Sequence, residues 1–360
     1  MKRVIMALSL VFSMSIYAST WTETTPGSLS FTYVLGPWDR STSPPGSDYY
    51  LLTNHVAGYG SSQYDRIVFL CMSSTDTSSG ACPTGTLSTV SYGRTTISLQ
   101  FKEKRSLVKS NLNVIGWKVP RFASGACAES NTTLNSHVYT CAGVLAQGVT
   151  LSMYIPANEI SKLPFGGIWE ATLVLNVRRL AGATYGQYTM NFTIDLTDKG
   201  NIQVWVPGFH SDPRVDLNLR PEGNGRYTGT NTLDMCFYDG YSTNSSSIEI
   251  RLQDDSGLSA GNTYYLNKTD DLTNQLPYNV ALLLGGRRFE PENGTSFTID
   301  DSTVLETNWN RITAVSMPEI NVPVLCWPAR LLFSADVNNP TAGQYSGNIH
   351  ITFTPSSANL

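Results

Sequence analysis

The segment GQYTMNFTIDLT (186–197) is written again in like form, with six of twelve residues identical, as GQYSGNIHITFT (343–354). Gly, Gln, Tyr, Asn, Ile and Thr recur at equivalent places, and polarity is kept elsewhere. In the first copy Tyr188, Met190, Phe192, Ile194 and Leu196 alternate with polar residues. A period of two suits only an extended strand with one face in a core. The second copy repeats the parity, so Tyr345, Ile349, Ile351 and Phe353 are expected to face inward, with Gly347 where the first copy has Met190. A strand duplicated at the middle and the end of a chain predicts two related domains.

Other segments alternate in the same way: YDRIVFL (64–70), TTISLQF (95–101), VTLSMYI (149–155), EATLVLNV (170–177), SIEIRLQ (247–253) and RLLFSADV (330–337). Gly, Pro, Asn, Asp and Ser punctuate between them. Helical periodicity is scarce, with ANEISKL (157–163) offering one turn or two. Many short strands with frequent turns predict an all-β chain of β-sandwiches. The 360 residues are long for one domain, and TDKG (197–200) is a short polar connection, so domains are expected at 19–199 and 200–360.

Lys2 and Arg3, an apolar run from Val4 to Ile16 and small residues at Ala18 and Ser19 predict a secretory signal over residues 1–18. Charged residues make up 14% of the chain, against roughly 25% in an average soluble protein, so the surface is built from Ser, Thr, Asn, Gln, Gly and Tyr. A formal charge of -4 with no basic tract argues against nucleic acid. Six cysteines in an exported chain invite disulfides, and fifteen pairings are open. Four lie in one half and two in the other, which favours Cys71 with Cys82, Cys127 with Cys141, and Cys236 with Cys326. Zinc is disfavoured because no Cys-x-x-Cys or clustered Cys/His spacing occurs.

Catalytic signals are weak. GLSAG (257–261) fits the form of a nucleophile elbow, but it sits in a polar run between strands, and the only later histidine is His350 on the last strand. His55, His137, His210 and His350 show no metal-ligand spacing. No enzyme activity, cofactor or metal is expected. Arginines are more informative. With Ile67, Phe69 and Cys71 inward, Arg66 stands outward near the start of its strand. With Leu173, Leu175 and Val177 inward, Arg178 stands outward and Arg179 follows at the strand end.

The chain resembles the minor tip adhesins of enterotoxigenic colonisation-factor fimbriae, of the class five chaperone–usher type. The resemblance is carried by YDRIVFLCMSS (64–74), EKRSLV (103–108), LPFGGIW (163–169), LTDKGNIQVW (196–205), VDLNLRP (215–221), DMCFYDGYSTNSSS (234–247), LETNWNRITAVSMPEI (305–320) and VPVLCWP (322–328). Loops such as 37–63 and 83–94 diverge. The resemblance implies two immunoglobulin-like sandwiches, the first an adhesin domain and the second a pilin domain lacking one strand. It implies that a major pilin's N-terminal extension fills that groove as a donor strand, after a periplasmic chaperone has held it and an outer-membrane usher has passed the subunit on. It implies export to the fimbrial tip and binding of a host cell-surface glycan through Arg66, Arg178 and Arg179. The competing expectation is a structural tip or initiator pilin with no lectin activity.

Overall fold

The computed structural model describes residues 21–359 except 43–45, 62–63, 123–126, 128, 138–140, 142, 181, 210–211, 258–260, 301–311, 318–319 and 321. The expected signal segment, His210 and the centre of GLSAG lie outside the described residues.

The first half is built from β1 (Leu29–Asp39), β2 (Tyr49–Tyr59), β3 (Ile67–Cys71), β4 (Thr95–Glu103), β5 (Lys109–Arg121), β6 (Gly148–Ile155), β7 (Gly167–Arg179) and β8 (Thr184–Thr197). The order is β1-β8-β7-β4-β5-β6-β2, with β3 paired to β7. The pair β1 and β8 runs parallel, while β7 lies antiparallel on the other side of β8. The first copy of the repeat is β8, and its inward residues Tyr188, Met190, Phe192, Ile194 and Leu196 are all buried, as the alternation predicts.

Three local readings change. The segment 37–63 is not a loop but contains β2, whose pairing to β6 slips at three places, so no clean alternation marks it. Arg66 sits in a short 3-10 turn, Tyr64–Arg66, one residue before β3 begins. All five residues of β3 are buried, not every second one, and the segment around Leu134 lies along its free edge. Phe69 N donates to Leu134 O at 3.0 Å, and the Lys118 ammonium reaches both Ile67 O and Ser136 O at 2.8 Å. ANEISKL does turn helical, as the 3-10 helix Ala157–Lys162.

The second half has β9 (Gln203–Trp205), β10 (Arg220–Gly223), β11 (Arg226–Tyr238), β12 (Ser247–Asp254), β13 (Thr263–Lys268), β14 (Asp271–Leu284), β15 (Arg287–Phe289), β16 (Ser296–Asp300), β17 (Thr313–Val315), β18 (Val324–Asn338), β19 (Tyr345–Ser346) and β20 (Ile349–Pro355). One sheet runs β10-β11-β18-β14-β13-β19, and a smaller one runs β16-β12-β20. Their buried faces enclose a core around Phe237, Ile250, Tyr264, Leu282 and Leu331. The chain is thus all-β with two sheet-rich domains.

The second copy of the repeat is not one strand. It breaks at Gly347 and Asn348 into β19, on β13, and β20, on β12. Gly347 is exposed beside Leu266 and does not underlie the core, as its register with Met190 had suggested.

Three disulfides close as the spacing favours: Cys71 to Cys82, Cys127 to Cys141, and Cys236 to Cys326.

The halves meet across a mixed junction: Cys236, Tyr238, Val324 and Cys326 of the second half join the first core, and polar groups bond beside them. Trp205 in β9 packs on the first core while Val204 and Val206 pack on the second. Asp198 N donates to Gly240 O at 2.7 Å. Gly240 has φ +66°, and a Cβ there would run into the Asp198 carbonyl, so the close approach requires glycine. The fully buried Glu103 carboxylate accepts from Ser242 Oγ at 3.3 Å and Asn244 Nδ2 at 3.0 Å across the junction. Asp239, also fully buried, organises the loop that makes these contacts by accepting from the backbone N–H groups of Tyr241, Thr243 and Ser245.

Candidate functional site

The antiparallel register of β3 and β7 sets Ile67 opposite Arg179 and Val68 opposite Arg178. Arg66 precedes Ile67, and its carbonyl accepts from Leu180 N at 2.7 Å. Backbone pairing therefore delivers Arg66, Arg178 and Arg179 to one end of one strand pair. The residues come from positions far apart in sequence, and the ladder alone brings them together.

Their side chains are held differently. Arg178 is exposed, in line with its parity, and donates to Gly182 O at 3.5 Å. Arg66 and Arg179 are half-buried. The turn after β7 is closed by Arg179 N on Ala183 O at 2.9 Å and Gly182 N on Arg179 O at 3.0 Å. Gly182 lies against the Arg179 side chain, and a Cβ there would stand 3.1 Å from Arg179 Cβ. Arg179 Nε is buried with no hydrogen-bond partner among the described residues, a cost of roughly 1–3 kcal/mol. The ring of Tyr64, in the Arg66 turn, meets Tyr185 edge-on at 6.1 Å.

Lys118 escaped the sequence reading. It is 2% exposed, and its bond to Ile67 O fixes the residue that follows Arg66. A signal existed: Leu112, Val114, Gly116 and Lys118 share one parity on β5, and a lysine at an inward position needs carbonyls to receive it.

A second feature is the edge of β20. Strand β8 has neighbours on both sides, β7 and β1. Strand β20 has β12 on one side and, among the described residues, no strand on the other. The consequence shows in burial. Phe192, Ile194 and Leu196 in β8 are at most 2% exposed, whereas their counterparts Ile349, Ile351 and Phe353 are only partly buried. Val215 and Leu219, in a segment that joins no ladder, are likewise only partly covered on the same core. The second domain therefore has an open edge over an under-covered apolar face.

The chain folds as two tandem all-β domains, the second with an open edge, and the proteins it matches make it a fimbrial adhesin subunit of a chaperone–usher pilus. The chain belongs to the CfaE family of CFA/I fimbrial subunits: the family model for the first domain matches residues 18–199 and the model for the second domain matches residues 202–357. It is 52% identical over 365 residues to the CfaE subunit of CFA/I fimbriae from Escherichia coli, with both chains covered in full. The crystal structure of CfaE, the adhesive subunit of CFA/I fimbria of enterotoxigenic E. coli, superposes with a TM-score of 0.86 at 49% identity, covering 93% of this chain and 94% of that one. A chaperone–tip adhesin complex of CFA/I fimbriae superposes with a TM-score of 0.74 at 48% identity, covering 94% and 99%.

Proposed function

We propose that the chain is a fimbrial tip adhesin whose first domain, residues 19–199, binds host cell-surface glycoconjugates through Arg66, Arg178 and Arg179. The convergence of three arginines on one strand end is the observation that carries this reading. Like charges gathered on one surface gain little from folding. They gain when a carboxylate or hydroxyl-rich ligand meets their planar forks with paired hydrogen bonds.

The second domain, residues 200–360, joins the shaft. The open edge of β20 and its under-covered residues Ile349, Ile351 and Phe353 suit an added strand that supplies both backbone pairing and apolar bulk. The N-terminal segment of a major pilin is the assembled occupant. A periplasmic chaperone precedes it, and an outer-membrane usher receives the subunit. Residues 1–18 direct export, and the mature chain ends at the fimbrial tip, outside the cell.

The deciding experiment is adhesion of the full chain to intestinal epithelial cells, parent against Arg66→Ala, Arg178→Ala and Arg179→Ala. Charge-assisted hydrogen bonds contribute about 1.5–3 kcal/mol each. Each variant should thus bind roughly tenfold or more weakly at an unchanged fold. A parent that does not adhere supports a structural tip pilin without lectin activity. Variants that adhere like the parent move the site elsewhere on the first domain.

A further inference from the structure

Strands β2, β6 and β5 carry a row of aromatic rings on the face opposite the first core. Tyr154 has the outward parity, between the buried Met153 and Ile155. Tyr50 on β2 stands opposite it, and the two rings stack at 5.5 Å and 29°. Trp117 on β5 meets Tyr154 edge-on at 6.0 Å. Arg94, in the turn just before β4, lays its guanidinium 4.6 Å from the Trp117 ring centroid and 5.5 Å from that of Tyr154. Its Nη1 also donates to Tyr154 Oη at 3.0 Å.

Packing accounts for only part of this. Trp117 is 9% exposed and covered, but Tyr50 keeps 56% of its surface in water. An exposed cross-strand aromatic pair stabilises a sheet less than burying a ring would. Arg94 is exposed and, among the described residues, has no ion-pair partner. Two aromatic rings fix its plane, so its free N–H groups are held in place before any ligand arrives. Held donors lose less entropy on binding than free ones.

We propose that this face is a second glycan-binding site, for a pyranose that carries a carboxylate. The C–H face of the sugar ring lies on Tyr50, and its carboxylate pairs with the Arg94 fork. The aromatic face supplies the apolar contact and the guanidinium supplies charge complementarity, and a neutral disaccharide forfeits the second. The site uses strands β2, β5 and β6, not the β3–β7 end that holds the other arginines. It therefore stands whether or not those arginines bind receptor.

The test removes the other candidate first. The full chain carrying Arg66→Ala and Arg178→Ala is titrated with sialyllactose and with lactose, read by ligand-observed saturation-transfer NMR. Sialyllactose should bind and lactose should bind about tenfold more weakly or not at all. Adding Arg94→Ala or Tyr50→Ala should cost about tenfold, whereas Arg94→Lys, which keeps charge but loses the fork, should fall between. A thermal melt confirms that each variant is folded. Absence of sialyllactose binding in the silenced parent, or unchanged binding in both Arg94→Ala and Tyr50→Ala, overturns the proposal. Failure of the arginine cluster is read separately, in the cell-adhesion experiment.

Discussion

The hydroxyl of Tyr241 in the second domain donates to Asp195 Oδ1 on β8 of the first, at 2.6 Å. Tyr241 is 6% exposed, and burial, reinforced by the Asp195 bond, pushes its pKa well above the ordinary tyrosine value, so the donor stays protonated. The same loop supplies Ser242 and Asn244 to Glu103, so one turn carries most of the polar clasp between the domains.

Tyr241→Phe should therefore loosen the junction without disturbing either core. A hydrogen bond to a charged group contributes about 1.5–3 kcal/mol. The expected outcome is a lower urea midpoint and faster proteolysis in the connection near residue 200, measured together. Unchanged values for both would mean that the bond adds nothing to domain docking.

The bridge from Cys236 to Cys326 spans 90 positions, the longest of the three loops. Chain entropy gives a bridge of that span about 4–5 kcal/mol at most. Replacing both cysteines by alanine should lower unfolding free energy more than removing Cys71 with Cys82, whose loop spans 11. Urea denaturation of the two double variants decides the order.

His55 on β2 is half-buried, its ring edge-on to Phe31 at 5.5 Å and its Nε2 3.5 Å from Tyr188 Oη. Burial holds its pKa below the ordinary value near 6.5. Between the folded and unfolded values the unfolded chain binds the extra proton, so stability rises with pH there and is lost as pH falls below about 6.5. The melting temperature should drop on acidification through that window. In His55→Gln, which takes up no proton, this part of the slope should vanish.

The open edge of β20 makes a prediction about handling. The chain alone should associate through unpaired backbone and half-covered apolar residues. Adding a peptide with the sequence of a major pilin N-terminus should yield a monomer that melts higher, by light scattering and calorimetry. A monodisperse chain indifferent to the peptide would remove the case for strand addition there.

The outward placement of Arg178 in the candidate site was legible in the sequence because parity is local. Leu173, Leu175 and Val177 point inward and Arg178 outward, as two-residue alternation requires. Elsewhere non-local effects defeated the pattern. The slips in β2 break alternation, and β3 is buried on both faces rather than one. The repeat identified β8 correctly and misled at Gly347, because a sequence match does not record that a strand leaves one sheet for another. Nor does it record the junction: parity puts Glu103 on the inward face of β4 with Ile97, Leu99 and Phe101, but says nothing of the loop at 242–244 that supplies its partners.

The parallel pairing of β1 with β8 carries a kinetic cost. A hydrogen bond from Gln187 N to Ser28 Oγ, at the head of that pair, links positions 159 residues apart. A chain made from its N-terminus presents β1 first and its partner almost last, so the first domain waits for Thr197 before its sheet closes. Contacts of such long separation slow folding, because loop-closure entropy is spent before the contacts return anything. During that delay an apolar strand edge lies bare, and the interval between first emergence and closure is the period of greatest exposure to misassembly.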